Sequence, residues 1–458
     1  MKTVIGLETH LQLKSASKFF CSCSTANYRD APPNSRVCPT CLSQPGAKPH
    51  APNAAAVENA LKIAIALNCK VAINVDVPVQ RKHYIYPDLA SGYQRTSKPI
   101  GVQGELAGVR IREVHVEEDP GQYDLKTGRV NFNRSGIPLV EIVTDPDIET
   151  PQQARDFLEQ LSAIVEYLGA GREEAGSMRV DANLSISVDG KEGTRAEVKN
   201  INSFKGVATA LAFEASRQKN LLKNNLRVVQ ETRHFDEDAG VTRTMRRKEN
   251  AEDYRYFPDP DVPPIRITPT AVEETRAQMP ELPAAKMKRF EKQFAITPQE
   301  AFAITLEKEM ADAFEKHAAA HAPKLTANFY RGALKKQLNW RNLRFKGANC
   351  SGAVAELLEM LENGKITGKV AEQLLIGFLD EKLAPKTNAE AQGLLGIESS
   401  GIVEEATKSV VEENAKAVAD YRAGKLEALH HLAGQVMRKT RGKADPEAVK
   451  KLLEKMLG

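Results

Sequence analysis

The residues best equipped for chemistry in this 458-residue chain are acidic, and they recur at alternate positions of strand-like segments. In LETHLQL, Leu7, Leu11 and Leu13 fall on one side and Glu8, His10 and Gln12 on the other. In VHVEED, Val114 and Val116 oppose His115 and Glu117, with Glu118 next in line. VDANLSISV sets Asp181, Asn183, Ser185 and Ser187 against Val180, Ala182, Leu184, Ile186 and Val188. RAEVKN sets Arg195, Glu197 and Lys199 against Ala196 and Val198. If these strands share a sheet, one face packs on helices and the other gathers Glu8, His10, Glu117, Asp181, Glu197 and Lys199. Carboxylates crowded on one face repel unless a cation neutralises them, and oxygen ligands with one imidazole suit Mg²⁺ or Mn²⁺. The solvated face of an ordinary antiparallel sheet gives the same alternation, so both readings stand at this point. There is no Walker A sequence and no G-x-G-x-x-G opening a helix; a nucleotide would have to be held through metal, Lys and Arg.

A second constellation is CSCSTANYRDAPPNSRVCPTC, which holds Cys21, Cys23, Cys38 and Cys41, four of the six cysteines in the chain. In a reducing compartment, two close pairs flanking a turn-rich loop read as a zinc site, and four thiolates leave no open coordination position. Such a metal is structural; unmetallated thiols and a redox pair are the alternatives. Cys69 and Cys350 stand in apolar or Gly-rich surroundings and read as structural.

Other segments fit phosphate or base contacts. RKHYIYPDLASGYQ carries Arg81, Lys82 and Tyr86 around a Pro-Asp turn, and DYRYFPDPD is similar; both serve equally as packed surface loops. EVKNINSF ends a strand in Asn200, Asn202 and Ser203, suited to substrate hydrogen bonds or to a turn. Near the end, Arg438, Lys439, Arg441 and Lys443 cluster, either as a phosphate contact or as a solvated face. No nucleophile constellation stands out.

The elements that must position these groups follow from composition and pattern. An apolar content of 41% supports a sizeable core, and a net charge of +4 permits a nucleic-acid partner without arguing for one. No stretch approaches the roughly 20 apolar residues of a membrane span, and no targeting segment is visible, so a cytoplasmic location is expected. TPQQARDFLEQLSAIVEYLG predicts a helix, with Thr150 as N-cap, Pro151 at N1, Gln153 completing a capping box and Gly169 as the stop. Strand signals fade from about residue 291. Thr297 and Glu300 form a second capping box, and Val354, Leu357, Leu358 and Leu361 stripe one later helix. Pro446 opens the last helix, striped by Val449, Leu452, Leu453 and Met456.

The segments GLETHLQL, CxC…CPTC, RKHYIYPDLASGYQ, HVEEDPG, NRSGIPLVEIVTDPD, GSMRVDANLS, EVKNINSF, QETRHFD, MRRKENAEDYRYFPDPD and GQVMRKTRGKADP span nearly the whole chain in this order. Together they resemble the B subunits of the aspartyl/glutamyl-tRNA amidotransferases. The resemblance implies an α+β fold: a glutamine-synthetase-like cradle with a concave antiparallel sheet over residues 1–290, including the zinc knuckle at 21–41. An all-helical domain at 291–399 and a helical tail domain at 400–458 that contacts tRNA would follow.

It implies ATP-dependent amidation of misacylated Glu-tRNA(Gln) and/or Asp-tRNA(Asn). The side-chain carboxylate is phosphorylated, and ammonia from a separate amidase displaces phosphate. The implied cofactors are ATP, Mg²⁺ and a structural Zn²⁺. The implied partners are misacylated tRNA, the amidase (the A subunit) and the small C subunit, with no membrane. Glu8, His10, Glu117 and Glu118 match the family's metal-site motifs, Glu197 is added to them, and these residues are expected to share one Mg²⁺. With Lys199 they make the catalytic set. Arg81, Lys82, Tyr86, Asp181, Asn183, Asn202 and Ser203 are assigned to phosphate or substrate, and Arg438, Lys439, Arg441 and Lys443 to tRNA. Asn131 and His83 depart from the family's usual Asp and Asn. The competing expectation is a zinc-containing RNA-binding adaptor without chemistry of its own.

Overall fold

Alternating apolar and polar residues in Lys2–Gln12 produce a strand near the middle of a twelve-stranded sheet. The computed structural model describes residues 1–174, 176–201, 203–247, 254–395, 400–422, 425, 427–440, 444 and 446–457. Its contacts divide it into two compact units, Met1–Pro283 and Ala284–Gly458.

In the first unit the Lys2–Gln12 strand pairs antiparallel with Met178–Ser187 on one side and Pro138–Thr144 on the other. Beyond Pro138–Thr144 lie Val109–Glu118, Tyr93–Ser97, Val79–His83 and Phe257–Pro258. Beyond Met178–Ser187 lie Ala196–Ile201, Glu231–Asp236 and Val241–Arg247. The expected sheet was antiparallel; this one is mixed, because Ala196–Ile201 and Glu231–Asp236 run parallel. The helix Phe204–Lys223 lies between them in sequence, and a crossover of that kind is what a parallel pair needs.

The two-residue period sends Ile5, Leu7, Leu11, Val114, Val116, Val140, Ile142, Val180, Ala182, Leu184 and Val198 into one core. Ile63 from Ala54–Ala66, Phe157, Leu158 and Leu161 from Pro151–Leu168, and Val207 and Leu211 from Phe204–Lys223 join the same core. The Pro151–Leu168 helix begins as predicted, with Thr150 Oγ1 accepting from the Gln153 amide, and Gly169 closes it at φ +61°. Gln153 completes no box there, since its side chain accepts from the Glu149 amide.

Among the described residues of the second unit, every regular element is helical. Thr297 and Glu300 form the predicted capping box at Pro298–Thr305. In the last helix, Val449, Leu453 and Leu457 are buried with Val410, Leu429, Leu432 and Val436, while Leu452 and Met456 stay half-buried.

Leu161 is fully buried under the sheet. Leu161→Ala is expected to lower stability by about 2–5 kcal/mol through lost burial and a residual cavity, read as a lower urea midpoint of unfolding.

Candidate active site

Strand register builds the site from the face opposite that core. Glu8 stands beside Asp181, and His10 stands between Glu141 and Arg179. The next strand brings Glu117 opposite Leu139 and His115 opposite Glu141. His10 Nε2 is 3.4 Å from the Glu141 carboxylate and 3.6 Å from that of Glu117. The candidate ligand atoms of His10, Glu117 and Glu141 all lie within 4.8 Å of one another. A second set, Glu8, Asp181 and Glu197, is equally close-set. Asn183 donates to Glu8 at 2.9 Å, and Thr232 donates to Glu197 at 3.0 Å. Lys199 Nζ lies 2.6 Å from Asp181 and 3.1 Å from Glu197.

Burial and like charge make this face reluctant to carry all its negative charge. Burial first, then the charge of Glu141, push Glu117 up to about 7. Glu8 is raised by burial and then by Glu141. Burial alone would lower His10, but its hydrogen bond to Glu141 and the charge of Glu117 outweigh burial and hold it up at about 9. For Lys199, burial opposes the ammonium, and Asp181 and Glu197 overcome that and raise it. Carboxylates that resist ionising together, with an imidazole aimed between two of them, form a donor set that fits hard divalent cations.

The expected ligands are distributed differently from one shared ion. Glu8 and Glu197 belong to one set, and His10 and Glu117 to the other. Adjacent residues on a strand face opposite ways, so Glu118 leaves Glu117 and accepts from Arg95 at 3.2 Å through both its backbone amide and its guanidinium. Arg95 also donates to buried Asp259 at 2.8 Å. Glu141 was missed, although it is the lone acid in PLVEIVT, and the alternation that picked out Glu117 places it on the same face.

The phosphate and substrate candidates divide likewise. Lys82 is raised because Glu117 and Glu141 outweigh its burial, and its ammonium lies 4.8 Å from the Tyr254 ring centre. Arg81 is committed to Asp259 at 3.0 Å and stacks over Tyr93. Tyr86 is half-exposed and meets Tyr123 edge-on. Asp181 and Asn183 stand on the acidic face. Ser203 N-caps the Phe204–Lys223 helix by accepting from the Gly206 amide at 2.9 Å, the turn role open to it in the sequence. Asn202, Arg441 and Lys443 lie outside the described residues. Arg438 and Lys439 end the Glu427–Lys439 helix, where Lys439 donates to Ser409 at 2.6 Å and pairs with Glu413. Asn131 accepts from the Asn34 and Asn133 amides, a task its carbonyl oxygen performs as an Asp would. His83 stacks on Phe257.

The sulfurs of Cys21, Cys23, Cys38 and Cys41 converge within 4.8 Å of one another, and none is in a disulfide. The donor set fits a tetrahedral thiophilic metal. Cys69 and Cys350 lie apart and buried, and burial pushes each thiol up to about 11. No helix among the described residues is long and apolar enough to cross a membrane.

Two family models match the chain: the GatB/GatE catalytic domain over residues 3–273 and the GatB domain over residues 312–457. Curated relatives are similar over their full length. One from Methanothermobacter thermautotrophicus is 49% identical over 454 residues, covering 99% of each chain. One from Methanobrevibacter smithii is 49% identical over 450 residues, 98% of each. One from Methanocaldococcus jannaschii is 46% identical over 465 residues, covering 100% of this chain and 98% of the other. All three are named as B subunits of aspartyl/glutamyl-tRNA(Asn/Gln) amidotransferase.

Two separate acidic sets predict two classes of divalent-ion site. Manganese titration followed by electron paramagnetic resonance should find two ions per chain, and Glu141→Gln and Glu197→Gln should each remove a different one. Elemental analysis should find one zinc per chain, lost in Cys38→Ser.

Proposed function

From the premise that the chain belongs to the family of aspartyl/glutamyl-tRNA(Asn/Gln) amidotransferase B subunits, we propose that it carries out the ATP-dependent amidation of tRNA-borne glutamate or aspartate. The observation that carries this reading is the convergence of His10, Glu117 and Glu141 beside Glu8, Asp181 and Glu197 on one face of the sheet. A carboxylate is a poor electrophile, because expelling oxide or hydroxide is costly. Phosphorylation by ATP supplies a leaving group that ammonia can displace.

His10, Glu117 and Glu141 would hold one divalent ion and Glu8, Asp181 and Glu197 a second. Such ions would supply positive charge to offset that of a transferring phosphoryl group. Lys82, kept cationic by Glu117 and Glu141, faces the phosphates; Arg81 serves instead to lock the 254–261 segment through Asp259. Asn183 and Lys199 fix Glu8, Asp181 and Glu197 by hydrogen bonds and so hold that set open for its ion. Ammonia is mostly protonated near neutral pH, and a carboxylate of this face takes its proton before attack. The amidase, which is the A subunit, delivers the ammonia, and the heterotrimer is completed by the small C subunit. The four cysteines hold a structural zinc, and the C-terminal helices from residue 400 contact tRNA.

An RNA-binding adaptor without chemistry is disfavoured by the acidic face, which would repel phosphate unless cations sat there.

Glu8→Gln in the assembled amidotransferase should cut tRNA-dependent ATP cleavage on the order of 100-fold while tRNA affinity holds; unchanged turnover removes this reading. The chain assayed alone should accept ammonium and show no glutaminase activity.

A further inference from the structure

Lys18 has 1% of its surface exposed, yet it carries an ammonium. Its Nζ donates to the Phe132 carbonyl at 3.2 Å and to Cys41 Sγ at 3.6 Å. Among the described residues no carboxylate pairs with it. Burying an ammonium costs several kcal/mol unless an anion compensates. The Phe132 carbonyl carries no charge to compensate it, so the compensation comes from the sulfur side, where Cys41 is its contact. Four thiolates around a zinc ion would carry a net charge of two minus spread over the sulfurs, and one buried cation halves it.

The backbone around Lys18 is fixed to receive this contact. The Lys18 amide donates to the Cys23 carbonyl at 3.0 Å, and the Phe19 amide to the Gly136 carbonyl at 2.7 Å. The Lys18 stem runs along Gly136, which has φ +81°; a Cβ there would come 3.4 Å from Lys18 Cδ. Backbone conformation therefore calls for glycine here, while the approach to Lys18 is ordinary van der Waals contact. The Gly136 amide donates to the Asp119 carbonyl at 2.8 Å. The buried Asp119 carboxylate accepts from Gln12 and Arg179, each at 2.7 Å. Arg179 lies opposite His10 in the register.

We infer that Lys18 is the internal counter-cation of the four-cysteine metal centre and, through the Phe132 carbonyl, ties that centre to the loop beneath Asp119. This rests on the zinc reading above and adds a residue that no cysteine motif contains. Lys18 positions and tunes the thiolates rather than acting on substrate. An N–H···S bond draws charge from Cys41, which favours metal retention over attack on the sulfur by protons or electrophiles.

The test compares wild type, K18M and K18R in the full-length protein, by the rate of zinc transfer to a chromophoric chelator and by the thiolate-to-metal absorption band after Co²⁺ substitution. Removing a group hydrogen-bonded to a metal's ligand costs about 10–100-fold in metal affinity. K18M should therefore release zinc about 10-fold faster or more, with a displaced band, and K18R should release it at a rate closer to wild type. Release from K18M at the wild-type rate with an undisplaced band overturns the inference. If K18M does not fold, K18Q decides, since it keeps a hydrogen-bond donor and loses the charge; release at the wild-type rate with an undisplaced band overturns the inference. Wild type free of zinc removes the zinc reading itself, an outcome distinct from zinc held equally tightly in both proteins. Zinc removal from wild type should also speed amide exchange over residues 132–137, and unchanged exchange refutes the tie to that loop.

Discussion

Carboxylates set side by side on neighbouring strands repel one another, and the rest of this catalytic unit is arranged around that repulsion. The central strand sends Glu8 and His10 one way and Leu7 and Leu11 the other. Its two neighbours bring Asp181 against Glu8 and Glu141 against His10. Only a rigid, packed opposite face can hold such groups together, because a mobile strand would relieve the repulsion by moving. The core under Pro151–Leu168 and Phe204–Lys223 supplies that rigidity. The unfavourable charge is then met locally, by imidazole between Glu117 and Glu141 and by Lys199 between Asp181 and Glu197. Balanced in this way, the carboxylates stay close together on one face.

Around the acidic face lie buried ion pairs that take no part in it. Asp259 binds both Arg81 and Arg95, and Arg95 also binds Glu118. Asp119 gathers Gln12, Arg134 and Arg179. The Asp259 cluster reinforces the pairing of Phe257–Pro258 with Val79–His83, and each cluster depends on every partner, since removing one leaves a charge buried alone.

Much of the acidic face was legible because a strand's facing is a local property. Glu8, His10, Glu117, Asp181 and Glu197 were all assigned to one face by counting in twos, and they share it. The same count, applied to Val140 and Ile142, would have found Glu141 on the opposite face. It also separates Glu118 from Glu117, which motif matching had joined. The division into two sets was not legible, because it depends on which strands are neighbours and at what register, and that is fixed by pairings across more than a hundred residues. The parallel pair was hidden for the same reason: Ala196–Ile201 and Glu231–Asp236 carry no local mark of relative direction. The cysteine cluster was legible as a set of ligands, whereas Lys18, which touches it from outside the motif, was not.

The placement of the first strand has a consequence for how the molecule is made. Residues 1–12 lie between Pro138–Thr144 and Met178–Ser187, so both their neighbours are synthesised long after them. Until Met178–Ser187 has been made, this half-apolar strand keeps at least one unsatisfied edge, and such ribbons fold slowly and invite aggregation. Birth on the ribosome, rather than equilibrium stability, is the stage at which this architecture is most exposed to failure.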